Sequence, residues 1–386
     1  MTLLRQSLIT TGVGLTSLSQ RLGSSLVIVI SMTCMVGVLL SMLSETAGLL
    51  RAYETGGDPS RVLVFPADIP SEYGNELTRS DVGTILSAPG IARGADGHPA
   101  GDGEILFWVP PALGYTIESP ELRGIGAAGR ALRPQFKILA GRMFVTGRQE
   151  LIVGVRAQKG FGLNVGDQVI LPNGKWPIVG VFSSAGSIMD GQLLGDAATL
   201  MSAGRITGFG SILVQLESAD AFDSFRHWLT TNPALTVTVE RQSDYYLRTA
   251  NRFTAFFTEV AYIVGTIMAI GALFGAVKIM YAVVNSRARE IATLRALGYS
   301  PTAVAIAVVL ETLLLSLTGA CCGAGLAWLL FNGKLIVGHT NVFDLDVSGK
   351  LFAIGLAWAA GVAILGSLPP AIRAGRLSVA NALRDA

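Results

Sequence analysis

Four long apolar stretches interrupt this sequence and restrict its fold more than any other feature. A helix crossing the roughly 30 Å hydrocarbon core of a bilayer needs about 20 mostly apolar residues at 1.5 Å each. Leu22 to Leu43 and Leu351 to Ile372 meet that requirement without a charge. Ala255 to Val284 is interrupted by Glu259 and Lys278, and Ala303 to Phe331 only by Glu311. The composition agrees: 51% of residues are hydrophobic and 15% charged, against about 25% charged in soluble proteins. The expected fold is therefore an α-helical integral membrane protein with four transmembrane helices and a large extracytoplasmic mixed α/β domain between the first and second.

The first stretch also invites a signal-peptide reading, because Arg5 and Arg21 precede it. It exceeds the roughly 7–15 residues of a signal core, and no clear A-x-A site follows, so it is expected to remain as an anchor. Basic residues set the orientation. Arg5 and Arg21, then Arg287, Arg289 and Arg295, then Arg373, Arg376 and Arg384 put both termini and the middle loop in the cytoplasm. The expected order is a cytoplasmic N-terminal segment 1–21, spans 22–44, 253–285, 301–333 and 351–372, an external domain 45–252, a cytoplasmic helix 286–300, an external loop 334–350 and a cytoplasmic tail 373–386. From the first segment to the start of the first span Leu4, Leu8, Leu15, Leu18 and Leu22 recur at helical spacing. That fits either an amphipathic helix on the inner membrane surface or an extension of the first span.

The external segment reads as α/β at both ends, with a β-rich middle. Arg61 to Phe65 is a β-rich run and Thr78 to Ser87 a helix; Ser211 to Leu216 is a strand, Asp220 to Leu229 a helix with Phe222, Phe225 and Leu229 on one face, and Leu235 to Glu240 a strand. Between them lie strand candidates Glu150 to Val153, Gln168 to Leu171 and Trp176 to Phe182, the last two joined by a turn at Pro172, Asn173 and Gly174. The halves are expected to pack as one split α/β subdomain carrying a β-rich insertion.

Several chemistries find no support. Gly160, Gly162 and Gly166 lack the Gly-Lys-Ser/Thr ending of a phosphate loop, and Trp176 follows Gly174-Lys175. No Gly-x-Ser-x-Gly elbow or convincing triad occurs, so the chain is not expected to be an enzyme. His98, His227 and His339 have no partner at ligand spacing, so no metal site is expected. The net charge of +2 is dispersed and does not suggest nucleic acid. Cys34, Cys321 and Cys322 all lie in apolar stretches and are read as small core residues.

The segment from Ser286 to Ser300 places Ile291, Leu294 and Leu297 at helical spacing among Arg287, Arg289, Glu290 and Arg295, with Gly298 as a stop. On its own this describes an amphipathic helix at the cytoplasmic face. Glu311 falls about nine residues into the third span, roughly 13–15 Å deep, where a carboxylate costs about 2.5–3.5 kcal/mol. It is therefore expected to face protein, in a structural, gating or proton-relay role. Lys278 is the second intramembrane candidate for a gating or structural role, although it can also snorkel to the surface. Gly319, Gly323 and Gly325 include a small-xxx-small spacing suited to close helix contact, within the chain or between two chains.

The pattern resembles the MacB/FtsX-type permease subunits of ABC transporters. It is carried by Arg289-Glu290-Ile291, Leu294-Arg295-Ala296, Gly298 and Ser300; by Glu311 followed by the three glycines; and by Pro370, Ala371, Arg373, Ala374, Arg376, Ala382, Leu383 and Arg384 in the tail. Leu151-Ile152-Val153-Gly154, Gly166-Asp167 and Val179-Gly180-Val181-Phe182 are similar to that family's external domain. The resemblance implies porter-like halves at about 55–115 and 208–245 around an insertion at about 116–207. Val379 stands where relatives usually carry proline, and Lys278 where they are often small or polar.

By the same resemblance, a coupling helix carrying Arg287, Arg289, Glu290, Ile291, Leu294, Arg295 and Leu297 docks on a separate cytoplasmic ABC ATPase, which holds ATP and Mg; this chain itself carries no cofactor. A second permease chain, expected as a homodimer, and a periplasmic adaptor are the further implied partners, in the bacterial cytoplasmic (inner) membrane. The implied function is export or extraction of a hydrophobic or amphipathic substrate. The alternative is FtsX-like signalling that activates an extracytoplasmic cell-wall hydrolase.

Overall fold

The computed structural model describes residues 6, 7, 10–12, 22–109, 120–171, 173–338 and 341–376. Most of the N-terminal leucine stripe, Pro172, His339 and the tail beyond Arg376 lie outside them. The chain forms two compact units, one of residues 1–47, 255–332 and 346–386 and the other of residues 48–254 and 333–345.

Helix α1 spans Leu22–Gly56. At about 1.5 Å per residue it is some 50 Å long and outruns the apolar core of a bilayer. Nothing between Ser44 and Tyr53 stops it: the segment holds neither proline nor a turn cluster. The external domain then proceeds through β1 (Arg61–Pro66), α2 (Arg79–Leu86), β2 (Gly101–Trp108), β3 (Glu121–Ile125), α3 (Ala127–Ala131), β4 (Lys137–Gly141), β5 (Leu151–Gly154), α4 (Val155–Phe161), β6 (Gln168–Leu171), β7 (Gly174–Ser183), β8 (Leu193–Asp196), α5 (Ala197–Gly204), β9 (Ser211–Gln215), α6 (Phe222–Thr231) and β10 (Val237–Arg241). Helix α7 covers Gln242–Ser286, α8 Ala288–Ala296 and α9 Pro301–Phe331. A hairpin of β11 (Leu335–Val337) and β12 (Val342–Asp344) precedes α10 (Gly349–Arg376). Helices α1, α7, α9 and α10 are long and apolar enough to cross a membrane.

The external sheet runs β10-β1-β9-β2-β3-β8-β5-β7-β4, with β6 on β7. Strand β1 is central in the split layer, and all six of its residues are buried. The period-3.6 face of α6 puts Phe222, Phe225 and Leu229 against it with Val62, Val64 and Ile85. Thr78 starts α2 with a capping box to Asp81. Strand β2 belongs to both layers. Its Gly101–Glu104 portion pairs with β9 and its Ile105–Trp108 portion with β3. The inserted layer has its own core around Leu151, Val153, Trp176 and Leu200.

Within the segment 334–350, the loop between α9 and α10, β11 and β12 form a hairpin that belongs to the external domain. Three glycines receive it. Gly48 approaches the Asp344 carbonyl, a Cβ at Gly160 would lie 2.8 Å from Val337, and one at Gly191 would lie 2.7 Å from the Val342 carbonyl oxygen. Asp344 closes the dock with a 2.7 Å ion pair to Arg156. Phe343 joins Tyr53, Phe65, Tyr245 and Tyr246 in one aromatic cluster.

In the membrane unit, a Cβ on Gly319 would sit 2.5 Å from the Val29 carbonyl oxygen and one on Gly323 2.5 Å from that of Thr33. These two glycines therefore serve contact within the chain, between α9 and α1. Gly325 does not: a Cβ there meets nothing within 4 Å. The cysteine expectation also fails, since Cys34, Cys321 and Cys322 are exposed on their helices. Inside a bilayer, outward and inward helix faces are both apolar, so hydropathy cannot separate them.

Candidate functional site

The first candidate site is built where α7 ends. Arg287 is the N-cap residue of α8, and its backbone N–H still donates to the carbonyls of Val283 and Val284. The chain turns there, which aims the guanidinium at two acids. Its Nε donates to Glu290 Oε2 at 2.9 Å and its Nη1 to Glu311 Oε2 at 2.9 Å. Arg287 and Glu311 are both buried, while Glu290 is exposed. Glu311 thus meets its cost of burial with a charged, hydrogen-bonded partner. A cavity of about 20 Å³ beside the pair, lined by Thr10, Met280 and Leu294 among others, has room for about one water.

The far end of the motif has an equally local cause. Gly298 has φ +94°, which favours glycine, and Tyr299 N–H returns to the Leu294 carbonyl. Ser300 then caps α9 through Ala303 N–H, with Pro301 in its first turn.

The apolar stripe expected to enter a partner's groove is mostly not available. Ile291 is buried in this chain's own core and Leu294 is half-buried. A surface helix lowers its free energy by burying its apolar face on its own bundle. Arg289, Glu290, Thr293 and Leu297 form the outward surface, with Leu297 73% exposed; Arg295 is half-buried. Lys278 is exposed on α7.

The external domain holds a second polar centre. Arg123 on β3 is buried and donates from Nη1 to Glu72 at 2.6 Å and to Glu104 at 2.8 Å, and from Nε to Gln192 Oε1 at 3.0 Å. Arg133 pairs with Glu104 at 2.7 Å. Gln192 also donates to Glu121 at 2.7 Å, and the Tyr73 hydroxyl donates to the other Glu121 oxygen. The two arginines hold the Glu104 carboxyl below its ordinary range against the opposing effect of burial, whereas burial raises that of Glu121. Tyr73 stacks on Trp108, which borders an apolar cavity of about 220 Å³ with Phe107, Leu171, Asn173, Leu200 and Ile206. Sequence patterning does not assemble this network, because its members come from the loop after β1, from β2 and β3, from the segment after α3 and from the turn before β8. Arg123 between Leu122 and Gly124 in the wholly buried β3 was the available signal. Among the described residues no group of His, Cys, Asp or Glu could hold a metal ion.

Comparison with known proteins covers both units. A family model for the MacB-like periplasmic core domain matches residues 22–231. A model for the FtsX-like permease C-terminal region matches residues 262–379. No curated protein matches the sequence. Similar solved structures include the extracellular domain of the noncanonic ABC-type transporter YknZ from Gram-positive bacteria, at 18% identity over 47% of this chain and 99% of that one, with a TM-score of 0.35. The periplasmic region of MacB from Actinobacillus actinomycetemcomitans gives 19% identity, 50% and 94% coverage, and a TM-score of 0.39. With the core-domain model spanning more than half of the chain and the permease model most of the remainder, this protein belongs to the MacB/FtsX-like family of ABC transporter permeases.

Proposed function

We propose that this chain is the membrane subunit of an ATP-driven exporter of the bacterial inner membrane, with both termini cytoplasmic, working as a pair of permease chains. A separate ATPase subunit binds ATP and Mg and docks on the outward face of α8. The observation that carries this reading is the Arg287 fork, which ties α8 through Glu290 and α9 through Glu311 to one buried cation. Motion imposed on α8 must move or break that fork, so force passes into α9. Exposed apolar residues on α7, Ile263, Ile267, Ile270 and Phe274, offer a face for lipid or the second chain.

The apolar cavity beside Trp108 favours a hydrophobic or amphipathic substrate over a signalling output. The signalling reading has β4 in its favour, an edge strand with Leu139 57% exposed, to which an external hydrolase or adaptor segment could add a strand. The test is the double substitution Arg289→Glu with Leu297→Asp, both on the outward face of α8. Co-purification of the ATPase and ATP-dependent transport should both fall; if both are unchanged, α8 is not the docking helix. Leu139→Lys should leave transport intact, and its abolition of an external partner's activity would favour signalling.

A further inference from the structure

The strand shared by the two external layers carries a carboxyl that the Arg123 network leaves without an arginine. Asp102 and Glu104 lie two apart on β2 and so share a face. Glu104 takes both Arg123 and Arg133. Asp102 instead reaches the backbone of α3 in the inserted layer and accepts from Gly126 N–H at 2.7 Å. The cradle is cut to this side chain: a Cβ on Gly126 would lie 2.5 Å from Asp102 Oδ1, and one on Gly129 would collide with Oδ2. The contact therefore holds α3 to β2 at the point where β2 passes from the split layer to the inserted one.

The charge count around it is unbalanced. Glu72 from the loop after β1, Asp102 and Glu104 on β2 and Glu121 on β3 face Arg123 on β3, Arg133 beyond α3 and Arg61 on β1. Arg61 is also claimed by Asp58 at 3.5 Å. Five carboxyls thus meet three guanidiniums.

We propose that Asp102 is a proton-operated pin between the two layers, which in its neutral form keeps α3 seated on β2 and in its ionised form admits water between them. Burial, then the neighbouring Glu104, push its carboxyl up to about 7, against the opposing pull of Gly126 N–H and Arg133. The sign follows. An acid that holds its proton more tightly when packed than when opened to water favours the packed form at low pH. That preference declines from about pH 4, where the opened carboxyl titrates, to about 7, and is gone above it. The inserted layer, with its Trp108 cavity, is then most firmly seated in acid and loosest above neutrality.

Hydrogen exchange of the full chain in lipid nanodiscs, at about pH 5 and about pH 8 and corrected for intrinsic rates, tests the pin. Protection of Gly126 to Leu132 should fall by up to about a hundredfold, the two pH units between 5 and 7. Asp102→Asn should keep its low-pH protection at both values, and Asp102→Ser serves if that variant fails to fold. Glu121→Gln should retain the wild-type response, because Glu121 bonds Tyr73 and Gln192 and not α3. A pH-independent wild type, an Asp102→Asn variant that follows the wild type, or loss of the response in Glu121→Gln alone would overturn the proposal.

Discussion

In the membrane unit one buried arginine, Arg287, is shared between two glutamates; in the external domain Arg123 sits in a closed network with Glu72, Glu104, Glu121, Gln192 and Arg133. The first centre has an open side, since Glu290 is exposed, and it lies where one helix ends and the next begins. The second lies between buried strands, with several acids and bases cross-bonded. An ion pair with a solvated arm can rearrange at modest cost, whereas a fully enclosed one loses hydrogen bonds that nothing replaces. The comparison separates a part suited to movement from one suited to holding register.

The sharpest way to break this contrast is Arg123→Ala. It leaves Glu72 without its cation and Glu104 with Arg133 alone, and should destabilise the external domain by about 3–5 kcal/mol. Thermal unfolding followed by near-UV dichroism would report it, and a loss below about 1 kcal/mol would mean the network is not the brace described. Glu311→Ala should cost less, about 2–3 kcal/mol, because Glu290 still pairs with Arg287. Its larger effect should be on transport coupled to ATP hydrolysis, and a Glu290→Gln, Glu311→Ala cycle measures how far the two acids share the cation.

Gly323→Val tests the helix contact without touching a charge. Its side chain enters the Thr33 backbone on α1 and should cost about 1–3 kcal/mol, while Gly325→Ala, in open space, should stay within about 0.5 kcal/mol of wild type in detergent unfolding. Asp344→Ala gives a small structural effect, below about 1 kcal/mol, because the Arg156 pair is partly solvated. Faster hydrogen exchange should be confined to Leu335–Asp344, and a change spread across the domain would show the hairpin to be more than a local dock.

Much of the architecture was legible in the chain because it rests on one-dimensional signals. Apolar runs of bilayer length, the helical face of Phe222, Phe225 and Leu229, and Gly298 ahead of Ser300 and Pro301 each depend on sequence-local features. The candidate site was only half legible. Glu311 advertised a need for a partner by standing alone in an apolar span, but its partner lies 24 residues away beyond a helix break. Ile291, Leu294 and Leu297 fall on α8 and its C-cap with Ile291 buried and Leu297 exposed, a division that periodicity cannot supply because it does not say which side meets the chain itself.

Taken alone, the sequence determined that this is a four-span membrane protein with an inserted α/β domain, because hydrophobic length and period translate directly into helix and strand. Tertiary structure decided where the isolated charges go: Arg287 to Glu311, Arg123 to Glu72 and Glu104, Asp102 to the backbone of α3, and Asp344 of the third loop to Arg156. The physical reason is range. Backbone propensity acts over a few residues, whereas a buried charge is satisfied by whichever opposite group the fold brings within about 3 Å, however distant in the chain.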